Sequence, residues 1–318
     1  MVKKMVLLAL TWMGFFLLAG STQAEAQPTT NTATIKFFMN STDGDFGSLY
    51  LLSGGARHSL AIGAEDETII IDTKRSSRWA QPMLNKVANV TDQPVKRIIN
   101  TNAFNSGSNA EFPDVVEIIS HQNARSIMTN MDAFSGENSK FLPNKTFTDE
   151  LSFAVETSGV ETGKNRIDLL YRGPGHTNGD IVVVMPMYSA VFLGDLFPAK
   201  ATPVIDTAHG GSGVAFPDTL DNIIKALERY ENIAVVIPGR VDSPPVPVMG
   251  SWLQLTDLRD YAEFNRAFLE SVKISFEAGR TSDEAIALLV LPKKFEEYGM
   301  QHAETNVQTI YAELKNLR

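Results

Sequence analysis

The stretch from Tyr171 to Phe197, YRGPGHTNGDIVVVMPMYSAVFLGDLF, constrains the fold more than any other part of the sequence. A loop rich in Gly and Pro leads into two short apolar runs, Ile181–Met185 and Ala190–Leu193. Apolar runs of this length, bounded by turn residues and containing β-branched side chains, predict buried strands. His176 lies in the loop before the first run, and Asp195 follows the second. The stretch therefore predicts two buried strands joined by a turn, with a histidine and a carboxylate at their ends.

The rest of the chain carries strand and helix patterns in two successive sets. Strand-like segments separated by glycine turns run from Ile35 to Ile71 and predict an antiparallel start. From Ser77 to Met131, helical spacing of apolar residues alternates with strand-like runs, and one helix is predicted to begin at Asn109. A second set of strands begins with a long one at Phe147–Glu156. Two such sets predict a four-layer α/β/β/α sandwich, with the loops at one edge of the two sheets forming the site.

The N-terminus has the pattern of a secretory signal peptide. Lys3 and Lys4 precede an apolar run from Met5 to Ala19, and small residues that include Ala24 and Ala26 follow. We expect cleavage after Ala26, with Ala24 as the alternative site and an uncleaved N-terminal anchor as the alternative to removal. The mature protein is then expected to be periplasmic or secreted, with no membrane span after cleavage.

The sequence is accordingly predicted to divide into four parts. Residues 1–26 form the signal peptide, and residues 27–34 form a polar, flexible leader. Residues 35–255 form the sandwich domain. Residues 256–318 carry helical patterns with few strand signals and are expected to form a helical extension packed on that domain.

Composition excludes several function classes. The sequence contains no cysteine, which removes disulfides, thiolate metal sites and cysteine nucleophiles. The formal net charge of −9 gives the protein no electrostatic reason to bind nucleic acid. We expect the partner to be a small-molecule ligand or substrate, whose identity the sequence does not reveal.

Several short motifs resemble, in their order and spacing, those of the metallo-β-lactamase-fold superfamily, in particular its exported hydrolase-like branch. They are the strand that ends at Asp72, the IINTN loop at 98–102, His121 before a helix, GPGHTNGD at 173–180, FLGD at 192–195 and VIPGR at 236–240. The resemblance extends from Ile35 to the long helix after Leu255. It implies the four-layer α/β/β/α fold, here with extra C-terminal helices, and zinc-dependent hydrolysis.

The zinc centre that the resemblance implies is where the sequence departs from the family. The family takes its ligands from a T-H-x-H-x-D-H loop, a later His, a bridging Asp and a final His in a P-G-H turn. His176 matches the later His, and Asp195 matches the bridging Asp. The loop at 101–109 is shorter than the family's, and its Asp is missing. Residues that are not zinc ligands occupy the remaining positions: Asn102, Phe104 and Asn105 in the loop, and Arg240 in the final turn.

These replacements argue against the family's metal chemistry. An amide is a poor zinc ligand, a phenyl ring is none, and an always-charged guanidinium repels a dication. We therefore expect no metal cofactor; if zinc binds, its ligands are His176 and Asp195. A buried carboxylate is costly without a positive partner, so we predict an Arg240–Asp195 salt bridge at the former metal position. The alternative is that Arg240 points into solvent.

A glycine-rich run before a predicted helix is a candidate anion site, because N–H groups at a helix start are free to bind anions. The candidate residues are Gly210, Gly211, Ser212 and Gly213. Glycines required for backbone turns are the simpler interpretation.

Four other polar residues have competing interpretations. His209 and Asp206 are alternative metal donors that would join His176 and Asp195 if the chain brings them together. Asp72 is expected to bind N–H groups of a loop at its strand end, and His121 to be a hydrogen-bonded structural histidine.

Two functions fit these observations. The first is an exported metallo-β-lactamase-fold protein that has lost most of its zinc ligands and binds a small molecule with little or no catalysis. The alternative is a divergent hydrolase of the ester, lactone or β-lactam type. It would use a single metal, or His176 and Asp195 as an acid–base pair without one.

Overall fold

The computed structural model describes residues 34–39, 48–54, 57–112, 114–156, 163–240 and 253–317. The predicted signal peptide and the leader up to residue 33 lie outside the described residues. Among the helices of the described part, none is both long and apolar enough to cross a membrane.

The first sheet contains seven strands of the described chain, arranged across the sheet in their sequence order. They are β1 (Thr34–Met39), β2 (Leu49–Gly54), β3 (Arg57–Gly63), β4 (Thr68–Ile71), β5 (Val95–Ile99), β6 (Glu117–His121) and β7 (Lys145–Phe147). Strands β1 to β4 pair antiparallel, which confirms the predicted antiparallel start, and β4 to β7 pair parallel.

The second sheet contains five described strands in the order β12-β11-β10-β9-β8. They are β8 (Glu150–Ala154), β9 (Arg166–Leu170), β10 (Val182–Met185), β11 (Ala190–Phe192) and β12 (Val235–Ile237). The two predicted strands of the 171–197 stretch are β10 and β11, which pair antiparallel near the middle of the sheet.

Six α-helices accompany the sheets in the described chain. They are α1 (Ala80–Val87), α2 (Gln122–Met128), α3 (Phe216–Leu227), α4 (Leu255–Glu277), α5 (Ser282–Ala287) and α6 (Ala303–Asn316). The prediction that a helix begins at Asn109 is wrong, because Asn109–Glu111 is a single 3₁₀ turn. The side chain of Asn109 exchanges hydrogen bonds with Asn100, and such side-chain bonds hold the backbone away from a helix. The strand predicted at Phe147–Glu156 is two strands, because the chain passes from the first sheet to the second between them.

The layers follow from the alternation of side chains along the strands. On β4, Ile69 and Ile71 pack between the two sheets, whereas Ile70 packs against α1. On β10, Val183 packs between the sheets and Val184 packs against the helices on the other face. Strands buried on both faces read as continuous apolar runs, which is why the sequence identified them. The predicted four-layer α/β/β/α sandwich is confirmed.

The C-terminal helices share a hydrophobic cluster with the outer face of the second sheet. Phe264 on α4 is fully buried at the centre of an aromatic group. Its ring stacks on Tyr298 with a centroid separation of 4.4 Å and meets Phe295 edge-on at 5.5 Å. The extra helices therefore complete the core on this side of the sandwich.

Replacing Phe264 by Ala is expected to lower the free energy of unfolding by about 3–5 kcal/mol, because it opens a cavity in this cluster. Ile274 on the same helix is 55% exposed, and Ile274→Ala should change the free energy by no more than about 0.5 kcal/mol. Urea unfolding of the two variants measures both values. Equal effects would show that the C-terminal helices do not stabilise the domain.

Candidate functional site

The loop after β5 is built around the side chain of Asn102. Its Oδ1 caps the 3₁₀ turn Ala103–Asn105 by accepting hydrogen bonds from the backbone N–H of Phe104 at 2.9 Å and of Asn105 at 3.2 Å. Asn is favoured at such a cap because its oxygen satisfies N–H groups that have no partner within the turn. The Nδ2 of Asn102 donates to Oδ2 of Asp195 at 3.2 Å. The shortened loop thus delivers an amide to the position where the family has a zinc ligand.

Asp195 lies at the end of β11 with a side chain that is 0% exposed. Its Oδ2 also accepts from Nδ2 of Asn105 at 3.4 Å. The guanidinium of Arg57 faces the same carboxylate: Nε lies 3.3 Å from Oδ1, and Nη2 lies 3.4 Å from Oδ2. Arg57 is itself only 11% exposed, so water screens this ion pair little. A guanidinium and two amides therefore hold the carboxylate that the resemblance assigns to a metal.

The arginine that pairs with Asp195 is Arg57, whereas the sequence predicted Arg240. The two arginines are neighbours, because Arg57 at the start of β3 forms an antiparallel bridge with Arg240. Arg240 acts on Asp195 as a second positive charge and lowers its pKa. The prediction correctly required a guanidinium near Asp195 but assigned the contact to the wrong residue. Arg57 lies 138 positions away in the sequence, and no local pattern marks it.

Close backbone packing brings the turn before Arg240 to the site. The backbone N–H of Gly239 donates to the carbonyl of Gly194 at 2.9 Å. A Cβ on Gly239 would lie 2.2 Å from that carbonyl oxygen, so only glycine fits. On the other side, His58 on β3 donates its backbone N–H to Gly239 and places Nδ1 2.9 Å from the carbonyl of Pro238.

His176 lies beside Asp195 and is also buried. Its Nδ1 is 3.2 Å from Oδ1 of Asp180 and 3.9 Å from Oδ2 of Asp195. Burial lowers the pKa of His176, but the two carboxylates outweigh burial and raise it above its usual value. Burial likewise raises the pKa of Asp195, and the charges of His176, Arg57 and Arg240 outweigh that and hold it below its usual range.

A second buried carboxylate, Asp72, fixes the loop from behind. Its oxygens accept from the backbone N–H and from Oγ1 of Thr101, both at 2.7 Å, and from Nδ2 of Asn105 at 3.2 Å. This confirms the role predicted for Asp72. Burial raises its pKa to about 7, against the opposing effect of the hydrogen bonds from Thr101. Asn105 consequently bridges the two carboxylates, which fixes the orientation of its amide.

Lys74 is a site residue that sequence reasoning missed. Its side chain is buried, and Nζ donates to the carbonyl oxygens of Leu52 at 2.9 Å and of Arg57 at 2.5 Å. Burial lowers the pKa of Lys74 to about 7. These bonds join the facing ends of β2 and β3 and so fix the backbone from which Arg57 reaches Asp195.

Phe104 separates His176 from the other candidate histidine. Its ring meets the ring of His176 edge-on at 5.8 Å and the ring of His209 at 5.1 Å. His209 is oriented by Asp206, whose Oδ2 lies 2.8 Å from its Nδ1. His209 and Asp206 therefore form a pair of their own on the far side of the phenyl ring. Within the described residues, no group of three His, Cys, Asp or Glu side chains is arranged to hold a metal ion.

The glycine-rich run binds an anion that belongs to the chain itself. Glu313 on α6 accepts from the backbone N–H of Gly213 at 2.8 Å and from Oγ of Ser212 at 2.5 Å. Turn geometry explains the other glycines: Gly210 has a φ of +76°, and a Cβ on Gly211 would lie 2.2 Å from a carbonyl oxygen. Binding of an anion thus describes Ser212 and Gly213, and backbone turns explain Gly210 and Gly211.

His121 has the structural role that the sequence predicted. Its Nδ1 accepts from the backbone N–H of Asn123 at 3.2 Å, which caps α2, and its Nε2 donates to the carbonyl of Thr148 at 3.0 Å. The ring stacks on Tyr171. Both ring nitrogens are therefore engaged within the fold.

The residues at the former metal position do not fit a zinc centre. Zinc requires imidazole, thiolate or carboxylate donors, commonly three from the protein even at an open catalytic site. His176 and Asp195 are two such donors, but Asp195 is held by Arg57, and His176 by Asp180. The groups that contact the Asp195 carboxylate are amide donors and the guanidinium of Arg57, which stabilise an anion and repel a cation.

Comparison with known proteins agrees with the topology. The family model of the metallo-beta-lactamase superfamily matches residues 111–262. This match covers slightly less than half of the 318 residues. The chain has the metallo-β-lactamase fold. The match begins after the Asn102–Asn105 loop, the part in which this chain departs most from the family's ligand motif.

The proteins that this chain resembles are distant from it in sequence. A metallo-beta-lactamase type 2 from Bacillus sp. (strain 170) is 20% identical over 182 residues, which span 57% of this chain and 65% of the relative. The stereoselective inverting sec-alkylsulfatase Pisa1 from Pseudomonas sp. superposes with a TM-score of 0.67 at 14% identity, over 88% of this chain and half of that protein's length. A metallo-beta-lactamase from Pontibacter korlensis gives 0.54 at 18% identity, over 74% of this chain and 99% of its own. At these identities the likeness concerns the fold.

Arg57→Met is expected to destabilise the protein by about 3–5 kcal/mol, because it leaves the buried carboxylate of Asp195 without its main partner. The double variant Arg57→Met/Asp195→Asn should recover part of that loss, since neither charge remains. Arg240→Met should cost less than Arg57→Met. Urea unfolding measures the three values, and a larger loss for Arg240→Met would assign the pair to Arg240 after all.

The raised pKa of Asp72 predicts a specific pH dependence. Between its ordinary value of 3.8 and its folded value of about 7, the folded protein retains a proton that the unfolded chain releases, so the free energy of unfolding falls as the pH rises. The raised pKa of His176 acts in the same direction above 6.5: its stabilisation is complete below that pH and is lost as the pH rises through the folded pKa. Thermal unfolding should therefore occur at a lower temperature at about pH 7 than at about pH 5.

The Asp72→Asn variant is the matched control for this pH dependence, because it keeps one acceptor oxygen and cannot titrate. Its fall in unfolding temperature across the same pH range should be smaller than that of the natural protein. An identical fall in both proteins would show that Asp72 does not carry the effect.

Proposed function

We propose that this protein is an exported member of the superfamily that binds a small molecule in the family's cleft, with little or no catalysis and without a zinc centre. The observation that carries the proposal is the pairing of Asp195 with Arg57 and with the amides of Asn102 and Asn105. Export is supported by the N-terminal sequence, with its lysines, apolar run and small residues before residue 27.

Electrostatics supports this proposal over zinc hydrolysis. A divalent ion about 4 Å from the guanidinium would be repelled by on the order of 8 kcal/mol at an effective dielectric constant of about 20. Arg240 would add to that repulsion, because its charge already acts on Asp195. Zinc binding would also require Asp195 to give up its ion pair with Arg57, which is shielded from water. The positively charged side chain of Arg57 thus takes over the neutralising role that the metal has in the family.

The alternative, a hydrolase without metal, is favoured by one observation. His176 contacts Asp180 and lies near Asp195, and its pKa is raised, so it holds a proton more readily than an ordinary histidine. A protonated imidazole is suited to donate a proton to a leaving group rather than to activate water. This function requires a substrate atom to reach a ring that is only 4% exposed.

Metal analysis combined with hydrolysis assays tests the proposal. Protein purified without chelators should contain far less than one zinc per chain. Esters, lactones, β-lactams and alkyl sulfates should be hydrolysed at rates that neither added zinc nor a chelator changes. His176→Gln should leave these low rates unchanged.

Other outcomes of the same assays assign other functions. Stoichiometric zinc that is lost in His176→Ala would contradict the proposal and establish a metal site. Hydrolysis that is independent of zinc but lost in His176→Gln would establish the acid–base alternative.

A further inference from the structure

His209, which is paired with Asp206, lines a cavity that has no role in the mechanism described above. The cavity has a volume of 330 Å³ and lies between α2 and the loop around His209. It is close to the former metal position, since the ring of Phe104 contacts both His209 and His176. This volume lies within the range of small-molecule sites.

The lining of this cavity is polar but carries no acidic or basic side chain apart from His209. Its polar side chains are those of Asn123, Ser126, Asn130, Asn178 and His209. By contrast, a cavity of similar size at the edge of the second sheet is lined by Arg166, Arg229, Glu150 and Asp168, which pair with one another. A charged ligand needs an opposite charge to compensate for lost hydration, and apart from His209 the lining of this cavity offers none.

Asp206 fixes which nitrogen of His209 is available. Nδ1 lies 2.8 Å from the Asp206 carboxylate, so Nδ1 carries the proton and donates it to that bond. In the neutral ring, Nε2 is then an acceptor. The side-chain amides of the lining asparagines each add a donor and an acceptor. A ligand hydroxyl group both donates and accepts, so it can pair with Nε2 of His209 and with these amides. Ile127 and Ala208 supply an apolar wall for the carbon skeleton.

We propose that this cavity is the ligand subsite of the protein and that it takes an uncharged molecule rich in hydroxyl groups, of the size of a monosaccharide. His209 accepts a hydrogen bond from a ligand hydroxyl, and the asparagines bind neighbouring hydroxyls. This inference rests on the proposed function in that it names the class of ligand bound in the same cleft.

Three probes that share one sugar ring and differ in charge test the proposal: N-acetylglucosamine is neutral, glucosamine is a cation and glucuronate is an anion. Each is titrated into the labelled full chain while the backbone amide signals are followed by NMR. N-acetylglucosamine should bind saturably with a Kd on the order of 1 mM, with shifts centred on residues 123–130, 178 and 208–210. The charged probes should bind at least about tenfold more weakly.

Two variants locate the site. Ser126→Trp, at an exposed position on α2, should block the cavity and abolish binding. His209→Phe should raise the Kd about tenfold, because it keeps a ring but loses Nε2. His302→Phe, at the N-terminus of α6 and outside the lining of the cavity, is the matched control and should leave the Kd unchanged. Unfolding temperatures of all three establish that they are folded.

Absence of saturable binding by the neutral probe, tighter binding of a charged probe, or unchanged binding in Ser126→Trp would overturn the proposal. These outcomes are separate from the metal and hydrolysis assays. A protein that bound zinc and also bound N-acetylglucosamine in this cavity would refute the proposed function but leave the subsite intact.

Discussion

The buried carboxylate of Asp195 must be neutralised, and the pairing that achieves this organises the rest of the site. Its side chain is inaccessible to water, and an isolated anion there would be too costly for a stable fold. The resemblance implies that metal ions supply the positive charge in other proteins of the family. Here Arg57 supplies it, and the amides of Asn102 and Asn105 donate hydrogen bonds to Oδ2 of the same carboxylate. The site is thus a hydrogen-bonded network built from the chain's own side chains.

Distant parts of the chain support this ion pair. Lys74 binds the backbone carbonyl of Arg57 and fixes the strand end from which the guanidinium projects. Asp72 binds both Thr101 and Asn105 and so fixes the loop that carries the amides. Because these groups form one network, substitutions within it are not expected to have additive effects on stability.

The sequence predicted those parts of the structure that depend on local patterns. The apolar runs of β10 and β11 identified the core of the second sheet, and the motifs at their ends predicted that His176 and Asp195 lie close together. The contact between Arg57 and Asp195 could not be predicted, because it depends on the register of two segments far apart in the chain. The same holds for Glu313, which reaches the glycine-rich run from the last helix. The 3₁₀ turn at Asn109 was missed because its asparagine pairs with Asn100, a side-chain contact that helical periodicity does not reveal.

Anomalous diffraction at the zinc absorption edge, from crystals grown with excess zinc, tests the central claim most directly. The expected result is no zinc peak between His176 and Asp195, with the guanidinium of Arg57 within hydrogen-bond distance of the Asp195 carboxylate. A zinc peak bound to both His176 and Asp195, with Arg57 displaced from the carboxylate, would contradict the account.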